Sequence, residues 1–147
     1  SHIAISLDRN CNTIYSFGRK KYTSFINGGF SVEHKSGEFF SKFKDTICRI
    51  YELDVTIEQY NALKKIINYM KKNKEIYKYD YIGVFLRYIK VPVRFKDKYV
   101  CSFFVADILE KANIYKFDKK TCFIKPKDFE NIPNLNLIYV GNYLKCV

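Results

Sequence analysis

A cysteine that opens a helix and a histidine carried early on a strand are the two residues of this chain best placed to do chemistry. The run Lys98-Tyr99-Val100-Cys101-Ser102-Phe103-Phe104-Val105-Ala106-Asp107-Ile108-Leu109 leads from a short apolar stretch into Cys101. From Phe104 onward the apolar positions Phe104, Val105, Ile108, Leu109 and Ala112 recur at helical spacing. Asn113 then reads as a helix stop. Cys101 is therefore expected at or just before the first turn of a helix, with Ser102 beside it. A thiol in that setting faces unpaired N–H groups and the positive end of the helix dipole, which favour the nucleophilic thiolate. The plainer reading is a buried cysteine beginning a core helix, since free cysteine is usually a small hydrophobe.

A general base decides between these readings, and the chain holds only two histidines, His2 and His34. His2 belongs to Ser1-His2-Ile3-Ala4-Ile5-Ser6-Leu7-Asp8, which alternates strictly. Ile3, Ile5 and Leu7 should face a core, with His2, Ala4, Ser6 and Asp8 on the other side of the strand. Small neighbours leave room beside the imidazole. His34 lies in the polar segment Val32-Glu33-His34-Lys35-Ser36-Gly37 and reads as a solvated loop histidine.

The order of these residues carries a resemblance. A histidine early on a strand (His2-Ile3-Ala4-Ile5), followed far downstream by Cys101-Ser102-Phe103-Phe104-Val105-Ala106, resembles the permuted branch of the NlpC/p60-type papain-like cysteine hydrolases. That branch includes the YiiX/YebB-like hydrolases and, more distantly, the lecithin–retinol acyltransferases. Phe103 stands where those relatives often have an acidic or polar residue. The closing segment Ile124-Lys125-Pro126-Lys127-Asp128-Phe129, then Asn136-Leu137-Ile138-Tyr139-Val140, is similar to the family's Pro-x-Asp turn and last strand. The resemblance implies an α+β, permuted papain-like fold. It also implies Cys101 as nucleophile, His2 as base, acyl transfer on an amide of a peptide or cell-wall peptide, and no metal or organic cofactor. A thioesterase or lipid acyltransferase on the same scaffold, or a non-catalytic module binding acidic surfaces, are the alternatives.

Such enzymes orient the histidine with a polar residue on the next strand. Here that strand is Thr13-Ile14-Tyr15-Ser16-Phe17, after a turn through Asp8-Arg9-Asn10-Cys11-Asn12. Ser16 takes the position where relatives often have His, Glu, Asn or Gln. If Ser16 lies opposite Ala4, it shares the His2 face as a diagonal neighbour. A serine can accept from a ring N–H but cannot stabilise an imidazolium as a carboxylate does. Asn12 and Glu33 are the lesser candidates for this third role.

The 147 residues fit one domain with a real core, residues 1–147, and the strand at its start leaves open a short preceding segment. The net charge of +11 raises nucleic acid or an anionic membrane as partners. The lysines are scattered, however, and only five arginines are present, which argues against a specific nucleic-acid reader. Solvated basic faces are the plain reading, with an anionic substrate or envelope surface as the alternative. The partner expected is thus a peptide or acyl substrate, and no apolar run is long enough to span a bilayer. Cys11, Cys48, Cys101, Cys122 and Cys146 are odd in number, without paired spacing, which favours free thiols and a reducing, cytoplasmic setting.

The remaining elements should frame the site as a small antiparallel sheet against two main helices. Lys20 to Gly29 ends in Asn27-Gly28-Gly29, a loop signal that could place a flap beside His2. Phe30–Val32 is a short strand. Thr46–Val55 alternates as another, with Ile47, Leu53 and Val55 on one face and Cys48 and Ile50 on the other. Thr56-Ile57-Glu58-Gln59 has capping-box form, and Ile57, Tyr60, Leu63, Ile67 and Met70 follow at helical spacing. The aromatic run Tyr77–Tyr88 is expected to wall a substrate groove.

Overall fold

The computed structural model describes residues 2–19, 28–80 and 98–146. Its first element follows from the alternation at the start of the chain. Strand β1 (Ile5–Ser6) pairs antiparallel with β2 (Thr13–Arg19), Ile5 opposite Tyr15 and Ser6 opposite Ile14. The ladder of β1 is shorter than the alternation suggests, because Asp8 turns the chain. Its carboxylate accepts from the backbone N–H of Asn12 (2.9 Å) and Thr13 (3.2 Å), and Cys11 sits at φ 51°. Ile3, Ile5 and Leu7 nevertheless pack against the core, as the period of two requires.

Strand β3 (Gly28–His34) pairs with the whole of β2, setting Phe30 opposite Phe17, Ser31 opposite Ser16 and Gly29 opposite Gly18. Gly28 and Gly29, expected in a loop, are therefore strand residues. Residues 20–27, where the flap was expected, lie outside the described residues. Strand β5 (Lys78–Tyr79) joins β3 antiparallel, and β6 (Lys98–Tyr99) joins β5 in parallel. The sheet order is β1-β2-β3-β5-β6. The expected antiparallel sheet is thus mixed, since the chain returns to β5 in the direction it left. Of the Tyr77–Tyr88 run only residues 77–80 are described.

One face of this sheet is aromatic and carries the helices. Helix α3 (Cys101–Lys111) lays Phe104 against Phe17 (ring centroids 5.2 Å) and Phe30 (5.7 Å). Asn113 ends the helix as its spacing predicts. It adopts φ 53°, its N–H donates to Glu110 (3.0 Å), and the N–H of Ile114 donates to Leu109 (2.9 Å). Those two bonds form a Schellman motif. Helix α2 (Ile57–Lys72) starts with the expected reciprocal capping box between Thr56 and Gln59. It buries Leu63, Ile67 and Met70. Ile57, expected in that stripe, is 66% exposed.

The reverse face carries a smaller assembly. Helix α1 (Glu38–Lys42) and a two-stranded antiparallel sheet of β4 (Ile47–Leu53) and β7 (Leu135–Asn142) enclose a second core of Phe40, Tyr143 and Cys146, joined by Ile14 of β2. The expected alternation of β4 holds through Cys48 and Ile50, which join this core. A bulge at Ile138 of β7 follows, and Leu53, expected on the face opposite Cys48 and Ile50, packs against the main core, while Ile47, expected to share its face, is exposed. Architecture of the described residues is α+β.

Candidate active site

Ser16 lies where the hairpin register was expected to put it. Its register places it opposite Ser31 of β3, and continuation of the β1–β2 ladder sets it across from Ala4. The diagonal neighbour is then His2, and Ser16 Oγ lies 2.7 Å from His2 Nε2. The same hydroxyl donates to the carbonyl of Ile3 at 3.0 Å. A serine has one proton to donate, so its oxygen accepts from Nε2–H. The hydrogen-bond network thereby assigns the tautomer and leaves Nδ1 as the basic nitrogen. Ser16 is only 2% exposed and its proton is already committed, which rules it out as a nucleophile.

The imidazole environment is tuned for neutrality. His2 is exposed as a whole residue, yet its ring end is packed closely enough that loss of hydration holds its pKa below the usual histidine value. Gly18 lies across from His2, and a methyl group added there would meet Cε1 at 3.9 Å, an ordinary contact, so the ring's place does not depend on that glycine. A base of this kind is unprotonated at neutral pH and able to take a proton.

Cys101 sits where its sequence context predicts, as the first residue of α3 and half-buried. The N-cap residue Val100 is extended and provides no side-chain cap. The first-turn N–H groups are consequently left without that competitor. Ser102 Oγ donates to the carbonyl of Ile124 at 2.6 Å and moors this end of the helix to the segment before the 3-10 helix Pro126–Asn131. In that segment Asp128 accepts from the Lys125 N–H at 2.6 Å, the turn the Pro-x-Asp pattern anticipates.

The structure unites two of the three expected residues. Among the described residues no hydrogen bond joins His2 to Cys101, and the Cys101 sulfur has no hydrogen-bond partner. Ser16 and His2 share the sheet face opposite Phe17, whereas α3 packs on the Phe17 side through Phe104. Asn12 is held in the Asp8 turn, its carbonyl accepting from the Lys35 N–H, and makes no bond to His2. Glu33 stands on the His2 face of β3, its pKa raised by burial, but it too makes no hydrogen bond to the ring. His34 is exposed at the end of β3, with Nδ1 3.1 Å from Thr13 Oγ1, rather than in a loop.

A groove of about 1790 Å³ opens beside this pair. Ser16, Gly18, Ser31 and Glu33 form its polar floor, and Val105, one turn beyond Cys101, lies on its wall, while Cys101 is not among its described lining residues. Tyr79 also lines it, the one described part of the aromatic run to do so. Sequence reasoning did not foresee the Ile3 carbonyl as the acceptor that fixes Ser16, because a backbone group leaves no residue signal. All five cysteines are free thiols. Burial raises the pKa of Cys11 and Cys48, while Cys122 and Cys146 are buried. Compared with known proteins, the chain matches no family model, no curated protein and no solved structure.

Proposed function

We propose that this chain is a cysteine hydrolase that cleaves an amide bond, in a peptide or a cell-wall peptide, through a Cys101 acyl-enzyme. The observation that carries the reading is the Ser16–His2 bond at 2.7 Å, which turns the ring so that Nδ1 is the nitrogen left to accept a proton. In the reaction Cys101 Sγ attacks the acyl carbon as Nδ1 takes the thiol proton. The backbone N–H of Cys101 supports the oxyanion. The C–N bond breaks, the leaving amine takes the proton from Nδ1, and water hydrolyses the thioester with Nδ1 again as base. Substrate binding has to close the gap between ring and sulfur, as catalytic contacts that are absent in an empty site often tighten only in the complex.

A second reading rests on a specific observation. Among the described residues His2 is hydrogen-bonded to Ser16 and not to Cys101, which favours a non-catalytic binding module. Thiol labelling with iodoacetamide at neutral pH, followed by peptide mapping, separates the two. The hydrolase reading expects Cys101 to be alkylated ahead of Cys11, Cys48, Cys122 and Cys146, more slowly after His2→Ala. It also expects Cys101→Ala to abolish cleavage of peptide amides, a loss on the order of 1,000-fold or more. Labelling of Cys101 no faster than the others, with no cleavage by the parent protein, leaves the binding module.

A further inference from the structure

Among the described residues, the β4–β7 sheet and its flanks carry a group of exposed apolar side chains. Ile47, Leu137 and Val140 project from it, Ile138 occupies the bulge, and Phe43 and Leu144 flank its end, with exposures from 36% to 70%. An apolar patch of this kind on a stable fold marks a contact surface rather than a packing defect. Lys42, Lys44 and Lys145 cluster at the same end, where Asn142 Nδ2 donates to the Lys44 carbonyl and the Tyr143 N–H to Thr46, and Arg49 stands within the face opposite Val140. Glu38 pairs with Lys42 (2.5 Å) and Glu130 with Arg49 (3.6 Å). Lys44 and Lys145 have no ion pair among the described residues, Asp45 is the sequence neighbour of Lys44, and Glu52 of β4 pairs with Arg9 (2.9 Å). The segment Leu135–Lys145 contains no acidic residue.

We propose that this face docks on an anionic lipid bilayer, with the aliphatic side chains entering the headgroup boundary and the lysines meeting lipid phosphates. Aliphatic residues flanked at one end by lysines suit an interface that is apolar inside and anionic outside. A second copy of this chain fits poorly: each carries a net charge of +11, and the bulge at Ile138 blunts the strand edge that two copies would pair. A nucleic acid would be met by arginines and stacking rings rather than by Ile, Leu and Val. Peripheral contact is the mode, since no helix among the described residues is long and apolar enough to cross a membrane.

Co-sedimentation with phosphatidylcholine vesicles, with and without phosphatidylserine, tests this on the whole chain. The parent protein should bind the phosphatidylserine vesicles alone, less tightly as salt is raised. Ile47→Ser, Leu137→Ser and Val140→Ser together should weaken that binding about tenfold or more with circular dichroism unchanged. Cys101→Ala should bind as the parent does, which separates docking from catalysis. The proposal is overturned if the parent protein ignores the anionic vesicles, or if the triple variant binds them equally well. It is also overturned if the parent sediments as a dimer without lipid and the triple variant does not, which assigns the face to a second copy.

Discussion

Phe17 and Ser16 are neighbours on one strand and almost equally buried, yet the two faces of the sheet bury them for different reasons. Phe17 lies among the rings of Phe30, Tyr77, Tyr99 and Phe104, where removal of apolar surface from water is the whole stabilisation. Ser16 brings a polar group into the same degree of dryness, which costs free energy unless its donor and acceptor roles are both met. The Ile3 carbonyl and the His2 ring meet them. One face is thus bound by shape and area, the other by direction. A residue change on the first should act on stability alone, and on the second mainly on a ring orientation.

Phe17→Ala should break the first half of that contrast most severely. Truncating a fully buried ring costs about 3–5 kcal/mol, read as a lower urea midpoint with the slope unchanged. A cost below about 1 kcal/mol would mean that the aromatic face is not what holds α3 to the sheet. Ser16→Ala sharpens the second half. It removes about one ordinary hydrogen bond, on the order of 0.5–1.5 kcal/mol, and should slow turnover a few-fold to roughly tenfold while Cys101 labelling stays selective. Full neutrality on a substrate that Cys101 turns over would move the orienting role to another residue.

The smallest effect concerns pH. His2 has a folded pKa below its unfolded value, so the unfolded chain takes up its proton first as pH falls. Its contribution is complete above the usual histidine pKa of about 6.5 and declines as pH drops through that value, levelling off below the folded pKa. Urea midpoints measured from pH 8 down to 5 should show this slope in the parent and a shallower one in His2→Asn. Identical slopes would show that the ring is hydrated after all.

What the sequence made legible was whatever is encoded by spacing within a single element. The capping box at Thr56, the stop at Asn113 and the position of Cys101 at a helix start all depend on residues within a turn of one another. The Ser16–His2 contact was also within reach, because strand alternation and hairpin length together set a register. The parallel pairing of β5 with β6 was not, since strand direction depends on where a long connection returns. Nor was the side of the sheet on which α3 packs, which the Phe17–Phe104 contact reveals. Gly28 and Gly29 mislead for a related reason: a glycine pair usually marks a turn, but here the strand is completed by its neighbours' backbone and not by its own side chains.

Gln59 has a consequence that reaches past its own helix. Its Oε1 accepts from the Thr56 N–H while its Nε2 donates to the Asn113 carbonyl at 2.6 Å, so one side chain clamps the beginning of α2 to the far end of α3. With its 11 residues, α3 is about 16 Å long, and a tilt of about 5° at that clamp would swing Cys101 by about 1.4 Å. Misplacement of about 1 Å can slow a reaction roughly 100-fold. Under the proposed mechanism, the aim of the Cys101 thiol would therefore depend on a glutamine contact at the opposite end of the helix.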